Sequence, residues 1–141
     1  MTVRITRRDP SLPLPARETG GSAGFDLSAA ADVTVAPGQI VLVPTGLIIK
    51  VPDGHFIGIF ARSSTPLKRG LMIPNGVGVV DTDYCGPEDE VKVQVYNFTP
   101  EPVHVRRGDR IAQGILIPYL APEWDEGPPS DKTRGGFGST G

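Results

Sequence analysis

The sequence predicts an all-β fold, a sandwich or barrel of many short strands, and three observations carry that prediction. Between residues 32 and 61 apolar side chains recur at Val33, Val35, Ile40, Leu42, Leu47, Ile49, Val51, Phe56, Ile57, Ile59 and Phe60. The runs are broken at Pro37-Gly38, Pro44-Thr45-Gly46 and Pro52-Asp53-Gly54, which suits strands joined by turns. Residues 90–96 alternate strictly, with Val91, Val93 and Val95 on one face. Gly (18) and Pro (15) are abundant among the 141 residues, yet they sit at intervals between apolar runs, a distribution that marks turns and not disorder. A chain of this length forms one domain and buries a working core without disulfide or metal staples.

Taken in order, residues 2–6 alternate Val3 and Ile5 with polar neighbours and form an opening strand that ends in Arg7-Arg8. Leu12-Pro13-Leu14-Pro15 excludes helix and central strand, so it is an extended surface segment. A run of small residues, 19–24, approaches Phe25-Asp26-Leu27, where Asp26 is either a turn residue or a carboxylate that positions a neighbouring cation. His55 follows a turn and is exposed. Residues 61–70 break the strand pattern and hold the one convincing helix start: Ser64 or Thr65 as cap, Pro66 in the first turn, Gly70 at the end. Arg62 with Ser63 and Ser64 at that start is either an ordinary capped turn or a seat for phosphate.

Residues 74–86 read Pro-Asn-Gly-Val-Gly-Val-Val-Asp-Thr-Asp-Tyr-Cys-Gly, the composition of a tight hairpin with a polar tip. Its local reading is a structural hairpin; its functional reading is a glycine-built slot whose backbone meets a flat polar ring. In that second reading Asp81 orients or deprotonates a water and Tyr84 fills the space beneath a sugar. Later, Val103 and Val105 define a strand with His104 on the opposite face, and residues 111–119 form another. Asp109 and Arg110 read as a turn ion pair and Gln113 as an edge polar group. The core pattern ends near Ala121, with Trp124 anchoring the last turn. Residues 1–126 form the β domain, and residues 127–141 form a linker and a glycine-rich C-terminal arm. That arm is either a frayed terminus or a strap whose Arg134 meets phosphate and whose Phe137 stacks on a base.

The balance of charge excludes several classes of function. A net charge of -2 with a pI of about 5.6 gives no general nucleic-acid surface. Cys85 is the only cysteine, so no intrachain disulfide forms, and with His55 and His104 it makes no zinc-site spacing. Neither a signal peptide nor a long apolar run is present, which points to the reducing cytoplasm and away from a membrane.

Five short stretches, in order, resemble the motifs of the trimeric dUTP diphosphatases (deoxyuridine triphosphate nucleotidohydrolases): Ala23-Gly24-Phe25-Asp26-Leu27, Arg62-Ser63-Ser64, residues 75–86 with the core Asp81-Thr82-Asp83-Tyr84, Gly108-Asp109-Arg110-Ile111-Ala112-Gln113, and residues 134–141. The resemblance implies a jelly-roll-like fold and a homotrimer with sites between subunits. It also implies hydrolysis of dUTP to dUMP and diphosphate, with Mg²⁺ carried by the triphosphate. Carried onto this chain, Asp81 activates water, and Tyr84 packs on the deoxyribose. Asn75 and the backbone of Val79, Val80 and Asp81 read uracil. Arg62, Ser63, Ser64, Gln113, Arg134, Ser139 and Thr140 hold phosphates, Phe137 stacks on the base, and Lys92 lies near the substrate. Asp26, Asp83, Asp109 and Arg110 support the site. The family's second motif commonly reads Pro-Arg-Ser-Gly where this chain has Ala61-Arg62-Ser63-Ser64, and an insertion, Pro87-Glu88-Asp89-Glu90, adds acid close to the hairpin. The Arg-Ser-Ser spelling also resembles dCTP deaminases and their bifunctional relatives. At the position of their catalytic glutamate this chain has Gln94, which cannot shuttle a proton.

Overall fold

The computed structural model describes residues 1–138. Its elements in chain order are β1 (Arg4–Arg7), β2 (Phe25–Ser28), β3 (Val33–Val35), β4 (Ile40–Lys50), β5 (His55–Ala61), α1 (Ser64–Arg69), β6 (Leu71–Met72), β7 (Gly78–Val80), β8 (Val91–Asn97), β9 (Val103–Val105) and β10 (Arg110–Pro118). One sheet runs β1-β4-β8-β6, a second runs β2-β10-β5-β7, and β3 with β9 forms a ribbon. Strands distant in sequence pair antiparallel, β4 with β8 and β5 with β10 above all, giving the jelly-roll-like all-β architecture that the sequence predicts. No helix of the described residues is long and apolar enough to cross a membrane.

The core joins the two sheets. Val43, Leu47 and Ile49 of β4 and Val91, Val93 and Val95 of β8 cluster with Leu27 of β2, Ile57 and Ile59 of β5 and Ile111 of β10. Each fully buried side chain of this size contributes about 1.5–3 kcal/mol. The alternation of β8 appears directly in its burial, with its three valines covered and Lys92 exposed between them.

Local detail departs from the sequence reading in several places. The first strand begins two residues later than expected, and Leu12 is buried although its prolines lie at the surface. Pro44-Thr45-Gly46 does not break the chain into two strands: β4 runs through it with a bulge, the register passing from Pro44 opposite Lys92 to Leu47 opposite Val91. Gly46 takes φ 68°, and the Leu12 side chain occupies the space that a Cβ would fill. The extra residues are held by the Thr45 hydroxyl, which donates to the Val91 carbonyl at 2.5 Å. The predicted helix is present, but Ser63 stands at its N-cap without a side-chain bond. Thr65 is buried and serves elsewhere, accepting from the Arg62 amide and donating to the Ile111 carbonyl, each at 3.0 Å. Gly70, at φ 67°, ends the helix as expected.

The stretch 74–86 is a crossover and not a self-paired hairpin. β6 bonds to β8 in the first sheet, whereas β7 bonds to β5 in the second. A turn closed by the Gly76 amide on the Ile73 carbonyl at 3.1 Å hands the chain across, and residues 81–90 return it to β8. Trp124 does not bury against the last turn; it is 90% exposed, as Leu120 is 95% exposed. Beyond Pro118 the described residues form no strand or helix.

Asn97, wholly buried, ties the end of β8 to its surroundings. Its amide donates at 2.8 Å to the carbonyls of Val35 and Glu101, and its carbonyl accepts from the Thr99 amide at 2.9 Å. Asn97→Ala is expected to cost about 2–4 kcal/mol in urea unfolding, because it leaves buried groups unpaired. A loss within about 0.5 kcal/mol, the range of ordinary surface changes, would contradict that role.

Candidate active site

A cleft of about 370 Å³ opens at the seam where the crossover joins the sheets. Asn75, Gly78, Val79, Val80, Asp81, Tyr84, Lys92 and Gln94 line it, together with apolar Leu42, Ile59, Ile73 and Val91. Six residues singled out in the sequence thus meet in one place: Asn75, Val79, Val80, Asp81, Tyr84 and Lys92. β7 is the last strand of its sheet and bonds to β5 alone, so its other edge presents backbone donors and acceptors without a strand partner. Val80 is buried and Val79 is 59% exposed, so the alternation turns the Val80 side chain into the core. At Gly78 an added Cβ would stand 3.0 Å from the Ile59 Cβ, and glycine keeps this approach close.

Asp81 follows β7 directly and is exposed; among the described residues no group donates to its carboxylate. The Tyr84 amide bonds the Asp81 carbonyl at 3.3 Å, closing a turn that puts both side chains on one loop. Asp83 is exposed on the same loop and does not line the cleft. The acids of the insertion do not line it either. Glu88 and Glu90 pair with Arg8, and Asp89 accepts from the Gly86 amide at 2.7 Å. The expected acidic surface beside the site is therefore consumed in internal contacts.

A second cluster forms where β2, β10 and the end of β5 lie side by side. Asp26 accepts from Arg62 Nε at 2.8 Å through one oxygen and from Arg110 at 3.1 Å through the other. Of the two sequence readings of Asp26, the cation-positioning one describes its contacts. Arg110 also pairs with Glu18, and its hydrogen bonds to Asp26 and Glu18 raise its pKa further. Gln113 is opposite Asp26 on β2 and Phe60 on β5, so it belongs to a central strand and not to an edge. Its amide donates to the Ala61 carbonyl at 3.0 Å, beside Arg62. Ser63 is exposed and Ser64 is partly covered, its Oγ 3.5 Å from the Arg62 guanidinium.

The predicted Asp109–Arg110 pair does not form. Asp109 bonds Arg69 at 2.9 Å and accepts the Arg106 amide at 2.9 Å, while Arg110 turns to Asp26 and Glu18. Arg110 opens β10, and in extended chain successive side chains point to opposite faces, so neighbours rarely meet.

The two clusters lie apart. Val80 is opposite Ile57 near the start of β5, whereas Arg62 follows the far end of that strand. At about 3.3 Å per residue, Asp81 and Arg62 are roughly 17–20 Å apart along one sheet. Arg134 and Phe137 are exposed in the arm and touch neither cluster; Phe137 takes φ 49°. Ser139 and Thr140 lie outside the described residues. Sequence reasoning missed Glu18 and Arg69 as partners of site residues because each acts across a long separation in the chain, and missed Glu90 because it holds Tyr84 through its backbone carbonyl, which side-chain identity does not reveal. It treated Gln94 only as a departure from the deaminases, although its spacing from Lys92 sets both on one strand face.

Comparison with known proteins gives concordant results. A family profile described as dUTPase matches residues 11–141. The deoxyuridine 5'-triphosphate nucleotidohydrolase of Desulfitobacterium hafniense (strain DSM 10664 / DCB-2) is 45% identical over 148 residues, covering 99% of this chain and 94% of that protein. The enzyme of the same name from Lactococcus lactis subsp. lactis (strain IL1403) is 42% identical over 137 residues, covering 95% and 91%. The crystal structure of the dUTPase from Streptococcus mutans superposes with a TM-score of 0.80 at 36% identity, covering 88% of this chain and all of that one.

The Asp109 contacts generate a pH prediction. Burial pushes the Asp109 carboxyl up, but the Arg106 amide and the Arg69 guanidinium together hold it below the ordinary value of 3.8. A depressed carboxyl stabilises fully above that value and ceases to do so as pH falls through its folded value. Asp109→Asn should therefore lose about 0.5–1.5 kcal/mol near neutral pH, and the gap to the native chain should close in acid. Denaturant titrations across the acid range check this, and a gap independent of pH contradicts it.

Proposed function

The chain belongs to the dUTPase family and is a dUTP diphosphatase; from that premise we propose that Asp81 aims the attacking water, in a site completed only where copies of the chain meet. The observation that carries this reading is the cleft in which the unpaired edge of β7 ends at Asp81. Uracil has two carbonyls and one ring N–H in a plane, which suits the backbone of residues 79–81 and the amide of Asn75. In this reading a methyl at the ring's 5-position is rejected by close approach of the β7 backbone, and a 2′-hydroxyl by the Tyr84 ring.

Hydrolysis proceeds by in-line displacement at the α-phosphorus. Water attacks as Asp81 accepts its proton, the bond to the α–β bridging oxygen breaks, and diphosphate departs with the electron pair. The substrate is the Mg²⁺ complex of dUTP. A lone exposed carboxylate and Lys92 at the cleft suit such a complex, and the ion supplies charge neutralisation for the leaving diphosphate.

Arg62, Ser63, Ser64 and Gln113 hold the phosphates from a neighbouring subunit, with Asp26 fixing Arg62 and Arg110 in orientation. The separation of Arg62 from Asp81 along one sheet supports this sharing. Within a chain, the phosphate end of a nucleotide that begins at Asn75 and passes Asp81 points away from Arg62. In a homotrimer the arm, residues 127–141, closes over a neighbour's site, where Arg134, Ser139 and Thr140 meet phosphates and Phe137 covers the base. The exposure of Trp124 and Leu120 fits a segment that leaves its own chain. The setting is cytoplasmic, where the reaction removes dUTP from the nucleotide pool and supplies dUMP. Gln94 in the cleft disfavours deamination, since an amide cannot relay the proton.

Incubation with dUTP, dCTP or UTP and Mg²⁺ tests the substrate. Diphosphate from dUTP alone is expected, and ammonia from dCTP would overturn the reading. Asp81→Asn keeps the shape and removes the base, so kcat should fall about 10²–10⁴-fold with nucleotide affinity retained. Native turnover in that variant would remove Asp81 from the chemistry.

A further inference from the structure

Tyr84 is 41% exposed on the ten-residue connection between β7 and β8, a setting that does not by itself fix a ring. Its hydroxyl, however, is committed: it donates to the Glu90 carbonyl at 3.1 Å. Glu90 is only 8% exposed, unusual for a glutamate, and its carboxylate is satisfied at both oxygens. One accepts the buried Gly46 amide at 2.8 Å, and the other meets Arg8 at 3.1 Å. Arg8 is fastened in turn, its own amide bonding the Gly46 carbonyl at 2.8 Å. The next residue is held as well, because Thr45 in the β4 bulge donates to the Val91 carbonyl. The bulge therefore shapes a socket for Glu90 and thereby fixes the carbonyl that holds the tyrosine.

We propose that Glu90 is the positioning residue for Tyr84, and that rejection of ribonucleotides depends on its anchoring by Gly46 and Arg8. The proposal rests on the reading of Tyr84 as the sugar contact. A ring held at the hydroxyl end resists the tilt that a 2′-hydroxyl demands. Released, it yields, and UTP gains access while dUTP loses little. Apart from the ion pair of Glu88 with Arg8, made at a side chain 83% exposed, the loop's other bonds are short-range, with Gly86 and Asp89 exchanging two hydrogen bonds and the Glu90 amide on the Glu88 carbonyl at 2.9 Å. Only Glu90 reaches the buried backbone of the β4 bulge.

The test compares kcat/KM for dUTP and UTP in the full-length protein. Glu90→Ala and Tyr84→Phe are each expected to lower the dUTP-to-UTP ratio about tenfold, chiefly by raising turnover of UTP. A gain of activity on the wrong substrate does not follow from mere loss of stability. Glu90→Gln keeps an acceptor for Gly46 and should recover most of the ratio. The two effects should not add in Glu90→Ala/Tyr84→Phe, since both cut the same link. Should Glu90→Ala fail to fold, Arg8→Ala alters a half-exposed residue and should shift the ratio in the same direction, whereas Glu88→Gln, at a side chain 83% exposed, should not. Native ratios in Tyr84→Phe and Arg8→Ala overturn the proposal. Tyr84→Ala separates the two levels: if its ratio collapses while the others stay native, Glu90 has no positioning role; if its ratio is also native, Tyr84 is not the sugar contact.

Discussion

The site depends on a strand edge left without a partner. β7 has three residues and one neighbour, and its outer backbone groups would normally be a liability that invites pairing with another chain. Here the crossover hides that edge in a cleft between sheets, flanked by β8 and the loop of Asp81 and Tyr84. Main-chain groups have little freedom to move, so a ring recognised by them is recognised by a rigid template. The fold can set this edge in place because β6 and β7, adjacent in sequence, enter different sheets.

Positive charge is gathered elsewhere. One carboxylate, Asp26, orients Arg62 and Arg110, and Gln113 pins the chain end from which Arg62 springs. Such an arrangement holds the guanidinium of Arg62 with part of its donor set still open, as a phosphate requires. Asp81 lies level with the start of β5 and the cationic cluster gathers at its far end, and this division is the reason the proposed function places each site between copies of the chain.

Much of this was legible in the sequence. The valines of β8 alternate so strictly that their burial follows from pattern alone, and Gly70 ends α1 because it alone tolerates the left-handed turn. The cleft residues were legible because they are contiguous or share a strand face. What escaped involved long separations. Pro44-Thr45-Gly46 reads as a turn locally and becomes a bulge only because Glu90 and Val91, far along the chain, satisfy its amide and hydroxyl. The crossover at residues 74–86 has a hairpin's composition, and composition does not say which strand pairs with which. Asp109 and Arg110 are adjacent in sequence, yet each finds an opposite charge that the fold brings to it.

The claim that sites are shared is tested most directly by mixing subunits. Asp81→Asn and Arg62→Ala proteins, each inactive alone, are unfolded together, refolded as mixed oligomers and assayed with dUTP. If Asp81 of one copy works with Arg62 of another, about a quarter of the native rate should return, since each intact residue is present in half of the copies and both must meet at one interface. If the mixture stays as inactive as its components while mixed oligomers are present, the two residues act within a single chain and the account fails.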